Sequence, residues 1–402
     1  MNKILIGLLA VIIIGGMLLR FFNIEAVFPY GWDQVRDAYQ VKDILNGNIA
    51  LEGPRTGVGH FHLGPLWFYL LVPFYYFTHL DPIASQYLNI LICLTTFGII
   101  FYVTKKLFTI PLALLILYMY ATNAYLVGIN RIPWNVSLMP CLAFLTFYLF
   151  FKTFQKKTFT YAALLMTCCG ISFHAHFSAI VFPMMIGLLW LMDRNKKLLI
   201  TLIKAVPFYV VWFIPTILSS FLTNYSDYHL INNFLHDYIV GFHLQFLLHQ
   251  LPQTFILFRL VLLAPFILAL FLVTILLLGY FSADKKEKLY CKIIFSMLIS
   301  FVIIFGIYGG QVSEYYFLFT LPAIYYTFLM LLTWALRFRV VTYILLALYL
   351  SFYTYQNVSS YRMPLYGLDD QRKSVENQMK SKEKFIIKDD EIESYLYLLY
   401  KK

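Results

Sequence analysis

Residues 29–70, PYGWDQVRDAYQVKDILNGNIALEGPRTGVGHFHLGPLWFYL, gather Asp33, Arg36, Asp37, Asp43, Glu52, Arg55, His60 and His62 in a chain that is only 13% charged. A positioned carboxylate can take a proton from an attacking group. Fixed cations can stabilise the negative charge that develops on a leaving oxygen, and arginine does so best because its planar fork donates two hydrogen bonds at once. One carboxylate and several cations are the minimum kit for such a displacement. The stretch reads as a catalytic loop.

The elements that must hold these groups follow from spacing. Asp33 and Asp37 stand four residues apart and so share a helix face, with Arg36 three residues after Asp33. Val35, Ala38, Val41 and Ile44 or Leu45 recur at helical spacing, and Gly47 is placed to end the helix. This predicts a short amphipathic helix lying on a membrane surface. Gly53-Pro54-Arg55-Thr56-Gly57-Val58-Gly59 is too rich in glycine for a helix. The run His62-Leu63-Gly64-Pro65-Leu66-Trp67-Phe68-Tyr69-Leu70 then returns to apolar territory. Two membrane-parallel elements joined by a glycine loop would form a floor over a helix bundle.

Composition supplies the bundle. The chain is 61% apolar with a mean hydropathy of +0.72, the signature of a polytopic membrane protein. Backbone polar groups in lipid must be satisfied internally, so the fold class is all-α. The net charge of +11 is dispersed in short clusters between apolar runs and reports topology, not nucleic acid. Cys93, Cys141, Cys168, Cys169 and Cys291 lie in or beside apolar runs without zinc-site or disulfide spacing. The first run, residues 4–19, is signal-peptide-like in length, but Phe21-Phe22 extends it and no small-residue cleavage site follows. It is read as a retained helix.

Further spans are predicted at 85–104, 108–128, 135–151, 158–174, 177–192, 198–220, 254–281, 289–309, 316–335 and 340–355, for about eleven in all. Lysine and arginine clusters fall in every second loop, which makes those loops cytoplasmic. The opposite set includes the first outer loop, residues 23–84, and the long loop 221–253. Nine of the twelve Asp and Glu residues before position 356 lie in that outer set. The chemistry is therefore expected on the extracytoplasmic side. Two units are expected: residues 1–355 as the transmembrane catalytic domain, and 356–402 as a short charged extension. Short loops favour a bacterial plasma membrane.

An Asp-led acidic helix opening the first outer loop, and a Pro-Leu-aromatic segment closing it, resemble the GT-C superfamily of membrane glycosyltransferases. The protein O-mannosyltransferase and aminoarabinose transferase branch is the most similar. Its Asp-Glu and Pro-Pro-Leu signatures correspond here to Asp33-Gln34 and Gly64-Pro65-Leu66. Asn130-Arg131-Ile132-Pro133-Trp134, Phe173-His174-Ala175-His176-Phe177-Ser178 and Tyr316 followed by Pro322 also look like family landmarks. The resemblance covers about residues 1–355.

It implies transfer of a hexosyl or pentosyl group from a polyprenyl-phosphate donor on the outer side, with inversion, to a protein, lipid or polysaccharide acceptor. Asp33 would be the base and Arg36 a donor-phosphate ligand. The family's phosphate-binding Lys is replaced by Leu63-Gly64, so His60 or His62 would substitute. Asp37 is the second carboxylate candidate. Arg131, Arg259 and Tyr316 are further phosphate candidates, and His174, His176 and Glu314 are candidates for the pocket.

Each has a plainer reading. Asp33 could be a helix N-cap, Asp37 a solvated face or the partner of Arg36, and His60 and His62 ordinary loop residues. Arg259 could snorkel from a span, Arg131 pack in a tight turn, and Tyr316 sit as an interfacial aromatic. His229, His236, His243 and His249 would share one face if 221–253 were a single helix. No metal-ligand spacing is present, so no obligatory metal is expected; a divalent ion held by loop histidines and carboxylates is the alternative. A flippase or transporter of a lipid-linked sugar, and a polysaccharide polymerase, are the competing functions. No internal repeat of the kind a transporter would show is found.

Overall fold

The structure, a computed structural model, describes residues 3–239, 241, 244–362, 367–381 and 397. Apolar helices occupy the predicted stretches, but not as eleven uninterrupted spans: 254–281, for one, is covered by two helices that meet at 92°. By length and composition, six helices can cross a membrane, or eight if two bent pairs each count as one span. One of the six, Glu314–Ser360, contains two of the predicted spans, and Phe159–Ala175 and Phe177–Asp193 are shorter apolar helices. Among the described residues, extended pairing is limited to two isolated bridges, Arg55 with His62 and Ile239 with Tyr308.

The helix Ile110–Thr122 breaks at Asn123 and turns by 66° into Ala124–Asn130. A broken helix strands backbone carbonyls inside the bundle. The fully buried Arg20 answers them, donating to the Ala121 carbonyl (2.7 Å), the Tyr120 carbonyl (3.0 Å) and Asn130 Oδ1 (3.0 Å). Asn89 and Gln86 donate to the carbonyls of Asn130 (2.7 Å) and Arg131 (2.6 Å). The turn that follows is thereby fixed, and Gln34 of the first loop donates to its Pro133 carbonyl at 3.1 Å. The first loop is seated on a rigid support.

That loop holds two helices, Trp32–Leu45 and Leu66–Phe77. Val35, Ala38 and Val41 are fully buried against Trp67, Phe68 and Leu71, so the apolar spacing does what it should. The first helix ends at Leu45, with Gly47 at φ +99°. Residues 53–63 fold as a clip: Gly53 N–H donates to the Leu63 carbonyl (2.7 Å), Thr56 N–H to Phe61 (2.9 Å) and Leu63 N–H to Pro54 (3.0 Å). A Cβ at Gly53 would sit on the Gly64 carbonyl, and one at Gly64 would sit on the His174 ring. Glycine is required at both by close approach.

The tail returns to this same face. Arg372, on the helix Leu368–Ser381, bridges Glu25 (2.9 Å) and Asp81 (2.5 Å), and Tyr397 donates to the Leu80 carbonyl (2.9 Å). First loop and extension therefore lie on one side of the bundle.

Candidate active site

Asp33 lies in the first turn of Trp32–Leu45, two positions too late to be its cap. Gly31 is the N-cap, and its N–H is taken by the Gln34 side chain at 2.9 Å. The Asp33 side chain is 38% exposed and accepts from Arg36 Nη1 at 2.7 Å. One turn on, Asp37 is fully buried, and both its oxygens are occupied. Oδ1 accepts from Arg36 Nε (2.9 Å) and Nη2 (2.6 Å), and Oδ2 accepts from Trp67 Nε1 (2.6 Å). Burial pushes the Asp37 carboxyl up to about 6 against the opposing pull of Arg36 and Trp67. Burial also works against the Arg36 charge, but Asp37 and Asp33 outweigh it and raise the guanidinium's pKa.

A cavity of about 670 Å³ opens over this arrangement. Asp33, Arg36, His60, His62, His176 and Tyr316 line it, together with Glu52, Arg55, Trp134, Phe177 and Tyr315. One wall is charged and comes from the first loop. The other is aromatic: Trp134 and Tyr315 stand 4.9 Å apart, and His176 lies 4.8 Å from Tyr316 and 4.6 Å from Phe177 by ring centroid. His176 Nδ1 accepts from Ser178 N–H at 3.1 Å, and burial pushes its imidazole down to about 3. It is a neutral wall residue. Such rings offer flat apolar faces to the cavity.

The remaining sequence candidates sit elsewhere. Asp37 stands behind Arg36 and does not line the cavity. His174 packs between elements, accepting from Leu66 N–H (3.3 Å) and contacting the Trp212 carbonyl through Nε2 (2.7 Å). Arg131 donates to the carbonyls of Arg362 (2.6 Å) and Leu19 (2.8 Å) and lines a separate apolar groove. Arg259 is exposed on Ile256–Leu262, away from the cavity. Glu314 precedes the lining pair Tyr315-Tyr316 without lining the cavity itself. The 221–253 segment is two helices, Ser226–Tyr238 and Leu244–Thr254, so His229 and His236 are separated from His249 and no single face forms. His243 lies outside the described residues.

Two participants carried no separate sequence signal. Arg55 reaches the cavity, where its Nε donates to the His60 carbonyl at 2.7 Å. Among the described residues its terminal nitrogens meet no carboxylate, which leaves them directed at solvent or ligand. Asp227, from the distant loop, accepts from the His62 ring at 2.9 Å. Loop chemistry flagged Arg55 as one basic residue among several, and only the fold separates it from the rest.

Comparison with known proteins settles the architecture. The structure matches the aminoarabinose transferase ArnT of Cupriavidus metallidurans bound to undecaprenyl phosphate, with a TM-score of 0.55 at 12% identity over 80% of this chain. This chain shares the fold of that protein, itself a GT-C membrane glycosyltransferase. The GT-C match extends to the archaeal oligosaccharyltransferase AglB of Archaeoglobus fulgidus, in complex with an inhibitory peptide and a dolichol-phosphate, with a TM-score of 0.56 at 12% identity over 98% of this chain. The chain matches 59% of the length of each of these GT-C proteins. No family model and no curated protein sequence matches it. Together with its long apolar helices, the fold makes this an integral membrane protein.

Proposed function

We propose that the protein transfers a sugar from a polyprenyl-phosphate donor to an acceptor on the extracytoplasmic side, with the first-loop cavity as its active site. One observation carries this reading: in a GT-C fold, the cavity pairs a half-exposed carboxylate, Asp33, with cations on one wall and aromatic rings on the other. Asp33 takes the proton as the acceptor oxygen or nitrogen attacks the anomeric carbon. The bond from that carbon to the phosphate oxygen breaks, the configuration inverts, and polyprenyl phosphate leaves with the electron pair. Arg55 supplies the cation for the departing phosphate, with Arg36 beside it. Asp37 and Trp67 are positioning residues that fix the Arg36 fork.

The assignment of Asp33 rests on access. Asp37 has both oxygens engaged inside the protein and cannot reach an acceptor without breaking those bonds. Asp33 keeps one oxygen clear of Arg36, since only Oδ1 is engaged. A carboxylate held by one partner and open on the other side has the geometry of a general base.

The test is release of polyprenyl phosphate from a panel of polyprenyl-phosphate sugars in proteoliposomes, comparing wild type with Asp33→Asn. Loss of a positioned base should lower turnover by ~10²–10⁴ in a variant that remains folded. Unchanged turnover removes Asp33 as base. If no donor is consumed while labelled lipid crosses the bilayer, the transporter reading replaces this one.

A further inference from the structure

The first helix, Lys3–Phe21, uses two adjacent glycines in opposite ways. A Cβ at Gly16 would strike the Phe97 ring and Ala121, so that glycine lets the helix close on its neighbours. A Cβ at Gly15 would meet nothing. Gly15 instead lines the apolar groove of about 640 Å³ that Arg131 also lines. Val11, Leu18 and Phe22, on the same groove, are mostly exposed, so it opens where lipid tails lie. It shares no lining residue with the first-loop cavity. From Val11 to its end at Phe21 the helix rises roughly 15 Å, about half the ~30 Å hydrocarbon thickness of a bilayer. The groove has the depth of one acyl chain in one leaflet.

Its polar end is cationic. Arg131 is 9% exposed, and its Nε is buried without a hydrogen-bond partner. Its Nη1 and Nη2 donate only to the carbonyls of Arg362 and Leu19. Arg20, a second buried cation, is close enough to act on it. Arg362, exposed at the same end, donates to the carbonyls of Ser359 and Tyr361. Among the described residues none of these three guanidiniums forms an ion pair with a carboxylate. Carbonyls answer hydrogen bonds but do not cancel charge, and charges withdrawn from water are normally paired. The missing partner is an anion.

We propose that this groove holds one anionic phospholipid of the surrounding bilayer, with an acyl chain laid along Gly15 and its phosphate on Arg131 and Arg362. Groove length selects the chain, and uncompensated guanidinium charge selects the headgroup. A polyprenyl chain would overrun so short a groove. The lipid braces the turn that seats the first loop, because Arg131 belongs to that turn: its carbonyl accepts from Gln86, and the Pro133 carbonyl two residues on accepts from Gln34. Phospholipid binding here does not rest on the sugar-transfer reading.

The experiment uses the full chain, delipidated in detergent and offered phosphatidylglycerol or phosphatidylcholine of matched acyl chains, with retained lipid counted by native mass spectrometry. One tightly held phosphatidylglycerol per chain is expected, preferred at least about tenfold over phosphatidylcholine through its charge-assisted hydrogen bonds. Gly15→Leu fills the groove without meeting a neighbour, so it should abolish retention while the lipid-free melting temperature holds. Gly7→Leu, on the same helix but outside the groove, should retain the lipid. Arg131→Gln should lose the headgroup preference; should it fail to fold, Arg362→Gln, on an exposed side chain, carries that arm with a reduced preference. Equal retention of the two lipids by wild type overturns the proposal, as does undiminished retention in Gly15→Leu. So does displacement of phosphatidylglycerol by equimolar undecaprenyl phosphate, which would make the groove a polyprenyl site. None of these readouts measures sugar transfer, so failure here and failure of the transferase reading are distinguishable.

Discussion

Arg20 and Arg36 are both withdrawn from solvent within one small protein, yet they are answered differently. Arg20 is wholly enclosed, its hydrogen bonds going to carbonyls of Gly16, Tyr120 and Ala121 and to Asn130 Oδ1. The ring of Phe97 lies 5.1 Å from its guanidinium carbon. Arg36 keeps 22% of its side chain exposed and is answered by two carboxylates. A guanidinium fixed by carbonyls at a helix break is part of the scaffold, because every donor closes a backbone debt. One fixed by carboxylates at a cavity wall presents charge to whatever enters. The difference separates structural cations from those available for chemistry.

The comparison is broken most forcefully at Asp37. Asp37→Ala leaves Arg36 half-buried without its main partner, and removal of one member of a buried ion pair costs about 3–5 kcal/mol. A thermal unfolding midpoint close to wild type in that variant would show that Arg36 does not depend on Asp37. On the proposed function, the folded protein recovered should also show weakened donor binding, because the fork has lost its aim.

The same carboxyl makes stability and activity diverge with pH. Asp37 holds its proton up to about 6 when folded, against 3.8 for a free aspartate. Between these values the folded state binds the extra proton, so unfolding free energy falls as pH rises from about 4 to about 6 and is flat above. The total is at most roughly 3 kcal/mol. Donor turnover should move the other way across the upper part of this window, declining as pH drops through about 6, because neutral Asp37 no longer holds Arg36. Parallel chemical-denaturation and turnover profiles measure both, and Asp37→Asn should flatten each.

The smallest effects sharpen the contrast between scaffold and site. Arg20→Lys replaces a fork by a point charge that cannot reach all four acceptors, and each orphaned carbonyl costs about 1–3 kcal/mol. Its melting temperature should fall while donor affinity in the folded fraction stays constant. Arg55→Ala should do the reverse, weakening polyprenyl-phosphate binding about tenfold through loss of a charge-assisted hydrogen bond at nearly unchanged stability. An Arg55→Ala variant with wild-type affinity would move the phosphate site elsewhere in the cavity.

Much of this architecture is legible along the chain. Apolar runs report helices because lipid forbids unsatisfied backbone, and the acidic helix declares itself through Val35, Ala38 and Val41. Asp33, Arg36, His60 and His62 are marked by being polar in an apolar protein, and the fold gathers all four around one cavity. Local sequence could not separate Asp33 from Asp37, because both lie on the same helical face; Trp67, from the next helix, decides which is buried. Nor could it sort the arginines. Arg131 and Arg259 look functional beside apolar runs, but one packs against carbonyls and the other faces outward, while Arg55 reaches the cavity.

By itself, then, the sequence determined the helical membrane class and the polar loop that walls the cavity, because burial pattern and backbone satisfaction act over neighbouring residues. Only the tertiary structure decided which carboxylate is free, which arginine meets the cavity, and that Asp227 reaches His62. Those outcomes depend on distances of a few ångströms between segments far apart in the chain, which residue spacing does not encode.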